Sequence, residues 1–309
     1  MILRANFIAD EKLPALAVVL AAHPNAEIVK YSPEKRCTLR VVRGGRNYFA
    51  KVYPIRFLKR ERGEKIHDTG AILWRLAEAG ELNFRVAKPA GWDMATQTLW
   101  HEDLAGSAAI EGMKNGDCGR IAHRIGEAVA LIERCRIKPT RVFDYGEQLK
   151  DSAEFAERVV MRFPSLNSAV AELLRRFEGV NLPDRKLKPI HGDMHIDQWL
   201  MNGETLGLLD FEDFALGHPE RDLAFFSVQL EIEYGAELEF TKLNADFLAG
   251  YTSLGGEPDE RLLNIYAAHK WLSKASKAAT LERANDLLFR AFDCLKDMKP
   301  SKTKKVNPR

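Results

Sequence analysis

Alternating apolar and polar positions in the N-terminal third of the chain are typical of β-strands. The alternation runs from Glu27 to Arg43 on either side of the turn sequence SPEKR. The segment RGGRN at 43–47 then predicts a hairpin turn into the strand YFAKVY at 48–53, because glycines supply the positive φ angles of a tight turn. We therefore expect an antiparallel sheet early in the chain.

Helical spacing flanks that sheet. A short helix is expected after Pro14, and a longer amphipathic helix is predicted from about Leu58 to Ala79, where Gly80 fits its end. Strands are expected again at Phe84 to Ala87 and at Thr98 to His101. The N-terminal third is thus predicted to be a small sheet with one main helix.

The remainder of the chain is mostly helical in its pattern. Apolar residues recur at helical spacing over 122–135, 147–162, 167–178, 220–230, 239–251, 259–275 and 281–297. One interruption with β character lies at 189–211. These patterns predict an α+β chain in which a small antiparallel β region precedes a larger helical region.

Composition and charge exclude several classes of protein. Of the 309 residues, 46% are hydrophobic and 29% charged, which is ordinary for a globular protein with a sizeable core. The formal net charge of +2 provides no global field for DNA or an anionic membrane, so we expect neither partner. The apolar run after Pro14 is too short to cross a bilayer, and the basic tail at 299–309 is expected to be disordered.

The cysteines carry no recognisable metal or disulfide pattern. The chain contains four, at Cys37, Cys118, Cys135 and Cys294, and none belongs to a CxxC motif. Scattered thiols of this kind predict a reducing, cytoplasmic location.

Candidate chemistry is concentrated in the interruption at 189–211. Its Asn202-Gly203 pair predicts a tight hairpin between two short strands. Such a hairpin brings a preceding loop with Asp193 and Gln198 next to Asp210 and Glu212, which follow the second strand. Carboxylate and amide oxygens are the ligands that a hard cation such as magnesium prefers, so we expect a magnesium site here.

This region resembles a known family, the aminoglycoside phosphotransferase and choline kinase-like small-molecule kinases. Three motifs follow in that family's order, namely HGD at 191–193 with Gln198 five residues later, LLDFE at 208–212 and GHPERDLA at 217–224. The resemblance extends from about residue 25 to about residue 290. It implies an ATP- and magnesium-dependent phosphotransferase that acts on the hydroxyl of a small molecule.

The resemblance also implies a two-lobed, protein-kinase-like fold. The small N-terminal lobe at 1–101 would bind the nucleotide, and a linker at 102–107 would lead into a larger helical lobe at 108–298. The tail at 299–309 lies beyond both lobes.

Catalytic roles follow from the resemblance residue by residue. Asp193 would accept the proton of the substrate hydroxyl, and Asp210 would bind magnesium together with Gln198 and Glu212. His191 and Asp222 would act structurally, with Asp222 anchoring the backbone of the catalytic loop.

Further residues are implied for the nucleotide. Lys51 on its strand would hold the phosphates and pair with an acid on the following helix, for which Glu61, Glu64 and Asp68 are candidates and Glu64 is favoured. The adenine would meet the backbone around Glu102 and Leu104. Residues assigned to the phosphates by charge are Lys35 and Arg36, because the loop between the first strands contains no glycine.

Gln198 departs from the family pattern, as does the loop without glycine. The family usually has Asn at that position, and HGD-x-H-x-x-Q resembles maltokinase-like phosphotransferases instead. This variant favours a sugar or glycan hydroxyl as the acceptor, with an amino-alcohol as a further possibility. The acceptor side would lie among the C-terminal helices. Four residues there either line a sugar-binding cleft or belong to the core: Glu233, Tyr234, Tyr266 and Trp271.

Other functions stay open at this stage. A kinase acting on RNA or protein shares the same catalytic groups, although no A-P-E sequence ends an activation segment here. A nucleotide-binding regulatory pseudokinase is a second alternative, against which Lys51, Asp193 and Asp210 argue. A metal-dependent hydrolase built on HGDMH lacks a second histidine-rich ligand set.

Overall fold

The computed structural model describes residues 10–54, 60–139 and 141–298. Its contacts divide the chain into two units. The first contains the described residues up to Ala109 together with the segment Gln198–Glu212, and the second contains Ile110–Asp197 and the chain from Asp213 onward.

The first unit combines two sheets with two helices. Its elements are α1 (Pro14–Ala22), β1 (Glu27–Ser32), β2 (Arg36–Arg43), β3 (Arg46–Val52), α2 (Arg60–Glu78), β4 (Phe84–Val86), β5 (Pro89–Asp93), β6 (Thr98–Glu102), β7 (Ser107–Ala108), β9 (Trp199–Asn202) and β10 (Thr205–Leu208).

The larger sheet is antiparallel and has five strands in the order β1-β2-β3-β6-β5. Lys51 lies on its central strand, opposite Thr38 on one side and Leu99 on the other. Alternate residues of β2 and β3 point into a core formed with α1, which buries Leu16, Leu39 and Ala50 completely. The predicted antiparallel region is therefore present, with β5 as a strand that the pattern did not indicate.

The smaller sheet carries the hairpin that the sequence predicts. Strands β9 and β10 pair through the turn at Asn202, and β10 also pairs in parallel with β4, so that Leu206 lies opposite Phe84. β7 completes the order β4-β10-β9-β7. The hairpin was predicted, whereas its parallel pairing with β4 was not, because that pairing joins segments far apart in the sequence.

The second unit is mainly helical. After α3 (Ala109–Gly112) and a π turn, its elements are α4 (Cys118–Arg134), α5 (Tyr145–Arg162), α6 (Asn167–Glu178), β8 (Lys188–Ile190), β11 (Ala215–Gly217), α7 (Pro219–Tyr234), α8 (Phe240–Ser253), α9 (Glu260–Ala275) and α10 (Leu281–Cys294). β8 and β11 form a two-stranded antiparallel pair. A large apolar core includes Phe177, Leu262, Leu272 and Ala284, which α6, α9 and α10 bury.

The expected α+β class is confirmed, and most predicted helices differ from the observed ones only at their ends. The helix expected at 220–230 extends to Pro219–Tyr234, and the one expected at 281–297 ends at Cys294. The predicted start of α2 at Leu58 and the tail at 299–309 lie outside the described residues. Within the described ranges, no helix is both long and apolar enough to cross a membrane.

Helices α4 and α8 approach each other through glycines. A Cβ atom on Gly126 would lie 2.0 Å from the carbonyl oxygen of Phe247, and one on Gly250 would lie 1.8 Å from that of His123. Both obstacles are backbone atoms, which cannot rotate away. The packing of this helix pair therefore requires glycine at both positions.

We expect Gly126→Ala to lower the free energy of unfolding by roughly 2–3 kcal/mol, because the added methyl group forces the two backbones apart. Gly119→Ala is a matched control on the same helix, since its Cβ would meet only the Asp246 carboxylate, at 2.6 Å, and that side chain can rotate. Denaturant titration of both variants checks this. Equal stability of the two would contradict the close approach.

Candidate active site

A cluster of charged side chains lies where β3 meets the segment after β10, within the first unit. The Lys51 Nζ atom is 2.9 Å from Asp210 Oδ1 and 2.7 Å from Glu212 Oε1. All three side chains are largely buried. The hairpin β9–β10 thus carries two carboxylates to the lysine on the central strand, although Lys51 and Asp210 are far apart in the sequence.

Arg36 and Tyr53 complete the cluster. The Arg36 Nη1 atom is 3.2 Å from Glu212 Oε2 and 3.5 Å from Asp210 Oδ2, and the Tyr53 hydroxyl donates a hydrogen bond to Glu212. Arg36 is the first residue of β2, and Tyr53 follows β3 two residues after Lys51. Of the two basic residues predicted from the first turn, Arg36 reaches the site, whereas Lys35 is exposed.

Burial and charge act in opposite directions on these groups. Burial disfavours ionisation of Asp210, but the combined effect of Lys51, Glu212 and Arg36 outweighs it and holds the Asp210 pKa below its usual value. Burial raises the pKa of Glu212, against the opposing effect of Lys51, and the negative charge of Asp210 adds to the rise. The pKa of Lys51 is raised because the two carboxylates outweigh its burial. Of the two carboxylates in the cluster, Asp210 therefore has the lower pKa.

Two features of this cluster fit a metal ion with oxygen ligands. Gln198 is buried, and among the described residues its side-chain oxygen Oε1 has no hydrogen-bond partner. Its backbone carbonyl accepts from the N–H of Leu209, one residue before Asp210. Asp210 itself has φ +67°, a left-handed conformation that Asp tolerates better than most residues. An amide oxygen without a hydrogen-bond partner and a carboxylate on a residue with a left-handed backbone are donors suited to magnesium.

The described residues contain no group of three His, Cys, Asp or Glu side chains arranged for a metal. A magnesium ion here therefore needs further oxygen ligands, and nucleotide phosphates and water are its usual ones. The site fits a metal that arrives with a phosphate ligand.

A small cleft opens beside the cluster, within the first unit. One side is apolar and the end is charged, which suits a flat aromatic base joined to phosphates. The residues lining the apolar side include Ile66, Val86, Leu99 and Leu208, and those at the charged end are Lys51, Asp210 and Glu212.

His101 also lines this cleft, from the end of β6. Burial, aided by the charge of Lys51, lowers its pKa to about 4, so the ring is neutral at physiological pH. Its Nδ1 atom is 3.0 Å from the carbonyl oxygen of Phe49, which makes Nδ1 the donor.

The remaining residues that the sequence assigned to the nucleotide are not among those that line this cleft. Glu102 ends β6, donates its N–H to the Lys88 carbonyl and forms an ion pair with Lys88 at 3.3 Å. Leu104 is buried close to Gly207. Glu64 is exposed on α2, and the carboxylates that pair with Lys51 are those of Asp210 and Glu212. The Lys51–Glu64 pair and the adenine contacts stay predictions.

The predicted catalytic loop belongs to the second unit, where Asp222 holds its backbone. The Asp222 Oδ2 atom accepts from the N–H of His191 at 2.6 Å, and Oδ1 accepts from the N–H of Gly192 at 3.0 Å. Asp222 and His191 are completely buried. Gly192 has φ +89°, and a Cβ there would lie 2.1 Å from the Asp213 carbonyl oxygen, so only glycine fits.

Arg221 is a second anchor of this loop that the sequence prediction missed. Its guanidinium donates to the carbonyl oxygen of Gly192 and to Gln148 Oε1, and it lies over the rings of Phe143 and Phe225 at 4.0 and 4.4 Å. The loop is therefore held at its N–H groups by Asp222 and at a carbonyl by Arg221. The only signal in the sequence was its position next to Asp222.

Asp193 follows these anchors, with a side chain that is 48% exposed. The His195 Nε2 atom is 3.7 Å from Asp193 Oδ2, and its Nδ1 atom is 3.7 Å from Asp197 Oδ2. Burial lowers the pKa of His195, which favours a neutral ring. Tyr234 donates to Asp197 at 3.0 Å. Asp193 is thus a solvent-facing carboxylate on a rigid loop.

A buried lysine on α9 lies in the same neighbourhood. Lys270 is 8% exposed, and its Nζ atom lies 4.4 Å from the centre of the Phe225 ring. Burial lowers its pKa to about 7, against the opposing charge of Asp193, and the positive charges of Lys274 and Arg221 lower it further. Sequence reasoning overlooked Lys270 because a helical lysine is normally exposed.

We expect Lys270→Met to raise the melting temperature at pH 6.5, with a gain that shrinks as the pH approaches 9.5. Because the folded pKa lies below the unfolded value, the unfolded chain binds more protons between about pH 7 and pH 10. Wild-type stability therefore rises with pH across this window, by an amount on the order of a few kcal/mol, and the methionine variant lacks that rise. Thermal unfolding of both proteins across the window measures the difference, and a constant difference would refute the burial of a charged Lys270.

Solved structures with known ligands share this fold. Over 98% of both chains, the protein is similar to the amicoumacin kinase hAmiN in complex with AMP-PNP, Ca²⁺ and Ami, at 13% identity and a TM-score of 0.62. The spectinomycin phosphotransferase APH(9)-Ia with ADP and spectinomycin gives 14% identity and a TM-score of 0.59, covering 96% of this chain and 94% of the other. A choline/ethanolamine kinase family protein from Mesorhizobium loti is 17% identical to this chain, with a TM-score of 0.56. The match covers 95% of this chain and 93% of the other.

These likenesses concern the fold, and the sequence itself shows the family. The sequence pattern of the phosphotransferase enzyme family matches residues 36–263, a range that begins at Arg36 and contains Lys51, Asp193, Asp210 and Asp222. This match covers well over half of the chain, and it includes every group of the charged cluster and of the catalytic loop. The chain belongs to the phosphotransferase enzyme family.

Proposed function

We propose that this protein transfers the γ-phosphate of ATP, in the presence of magnesium, to a hydroxyl of a small molecule. The observation that carries the proposal is the buried cluster of Lys51, Arg36, Asp210 and Glu212 at the charged end of the cleft. Phosphoryl transfer depends on positioning and charge neutralisation, and the cluster supplies both cations for phosphate oxygens and carboxylates for a metal.

The first unit binds the nucleotide in this proposal. The apolar side of the cleft takes the adenine, while Lys51 and Arg36 turn toward the phosphates. Asp210 and Gln198 hold magnesium, which when bound neutralises phosphate charge and orients the transferred group. The unpartnered Gln198 oxygen supports this assignment.

Glu212 has a different task from Asp210. Its carboxylate contacts both Lys51 and the Tyr53 hydroxyl, so it fixes the position of the lysine on the central strand. We therefore assign Glu212 mainly to positioning Lys51, and contact with the metal remains a prediction from the sequence.

The second unit provides the base. Asp193 accepts the proton of the acceptor hydroxyl as the oxygen attacks phosphorus, and its exposed carboxylate on an anchored loop suits that role. Asp222 and Arg221 keep the loop in place without touching the reactants. His191 is part of the same support.

The acceptor is proposed to be a sugar or glycan hydroxyl, with an amino-alcohol as the second class. The HGD-x-H-x-x-Q variant supports the first class. The similar structures named above include antibiotic kinases and a choline/ethanolamine kinase family protein, which fits a small-molecule acceptor more than a macromolecule.

We expect ATP consumption that depends on an acceptor when the purified protein is screened against sugars, amino-alcohols, nucleosides and aminoglycosides. Asp193→Asn is the matched blank: kcat should fall by a factor on the order of hundreds or more while ATP binding persists, because the base acts on the acceptor proton. Nucleotide binding without turnover of any acceptor would favour the pseudokinase. Loss of ATP binding in Asp193→Asn would mean that Asp193 has been assigned the wrong role.

Gln198 is tested separately by metal titration. If its amide oxygen binds magnesium, Gln198→Asn shortens the arm by one methylene, and the oxygen falls short of the ~2.1 Å octahedral shell. We expect activity to weaken, the magnesium concentration for half-maximal rate to rise, and the larger manganese ion to restore part of the loss. Gln198→Leu should lower activity more than Gln198→Asn does. Superimposable titration curves for all three proteins would favour a site without Gln198.

A further inference from the structure

Lys270 is a buried cation without a fixed counter-ion. Its side chain belongs to no ion pair within 4.0 Å among the described residues, whereas its neighbour Lys274 pairs with Glu233 at 2.8 Å. The charges that act on it include those of Lys274, Lys277 and Arg221, all positive, and the carboxylate with the largest effect is that of Asp193. Lys270 therefore lies in a basic region of the second unit, within electrostatic range of the proposed catalytic base.

Packing alone does not account for this residue. Burying an ammonium group without a paired carboxylate is costly, and the Phe225 ring 4.4 Å away compensates only in part. Asp193 does not replace a counter-ion, since its side chain is half exposed and lies beyond ion-pair distance from Lys270. A methionine would fill the same space at no electrostatic cost. A site that keeps such a cation fits a ligand that brings the missing negative charge.

We propose that Lys270 binds an anionic oxygen group of the acceptor, a carboxylate or a phosphate, while Asp193 takes the proton from the acceptor hydroxyl. This inference rests on the proposed function and narrows its substrate class to acidic or phosphorylated hydroxy compounds, such as a sugar acid or a sugar phosphate. Lys270, Asp193 and Arg221 belong to the same unit, so the arrangement is complete within it.

The transferred phosphoryl group is a second source of an anionic group for Lys270, because it also carries anionic oxygens. The first unit already provides Lys51 and Arg36 for the nucleotide, whereas Lys270 belongs to the second unit together with Asp193. This distribution favours the acceptor as the source. It also disfavours a cationic amino-alcohol, which would bring a further positive charge next to Lys270 and Lys274.

Related acceptors with and without an anionic group test the proposal. Glucose is compared with glucuronate, and glycerol with glycerate and glycerol 3-phosphate, in wild type, Lys270→Met and Lys150→Met. The last is a control lysine on α5 that is exposed and pairs with Glu147. We expect wild type to prefer the anionic member of a pair, and Lys270→Met to lower kcat/KM for that member by about 10- to 100-fold, as for loss of a hydrogen bond to a charged group.

The neutral member should change little, and the KM for magnesium-ATP should stay the same. An equal fall for both members together with a higher KM for ATP would place Lys270 on the transferred phosphoryl group and overturn the proposal. Unchanged kinetics with every acceptor would also overturn it. Because methionine keeps the length of the side chain and relieves a buried charge, we expect the variant to fold.

A binding measurement separates this inference from the proposed function. If no acceptor is turned over by wild type, inorganic phosphate is titrated against wild type and Lys270→Met, with glycerol as the neutral control, and the melting temperature is followed. We expect phosphate to stabilise wild type more than Lys270→Met, and glycerol to affect both equally. The same response of both proteins to phosphate would refute an anion site at Lys270 whatever the fate of the kinase activity.

Discussion

The buried ion pair between Lys51 and Asp210 is the interaction on which the charged end of the cleft depends. Breaking a buried ion pair costs about 3–5 kcal/mol where it leaves a charge uncompensated. Here Glu212 is a second partner of Lys51, and Arg36 is a second partner of Asp210. Lys51 comes from the first antiparallel sheet, and Asp210 comes from a hairpin that returns to it much later in the chain. The pair therefore joins the small sheet β4-β10-β9-β7 to the larger one, and with them the elements that line the cleft.

In the second unit, two side chains fix the backbone of the loop that carries Asp193. Asp222 accepts hydrogen bonds from two N–H groups of the loop before Asp193, and Arg221 donates to a carbonyl of the same loop. A glycine at position 192 is required by the close Asp213 carbonyl. The Asp193 carboxylate is half exposed beside this support, which suits the role of base proposed for it.

Local signals in the sequence account for most of what could be predicted. The Asn202-Gly203 turn predicted the hairpin, strand alternation placed Lys51 in a sheet, and the motif order gave the family, which the sequence match confirms. Contacts between distant segments were not predictable in the same way. The parallel pairing of β10 with β4 has no local sequence pattern. Likewise, the hydrogen bond from Tyr53 to Glu212 joins residues that are far apart in the sequence.

The two units differ in how they hold their cations, and this difference bears on the acceptor. In the first unit, Lys51 has carboxylate partners, so its charge is already paired before any phosphate binds. Lys270 has none, so it lowers stability until an anion arrives, and selection tolerates such a cost at binding sites rather than in a core. An acceptor with a negative group would relieve that cost on binding, whereas a neutral sugar would leave it in place. The charge of the acceptor is thus the property that Lys270 can distinguish, and the position of its hydroxyl is the property that Asp193 can distinguish.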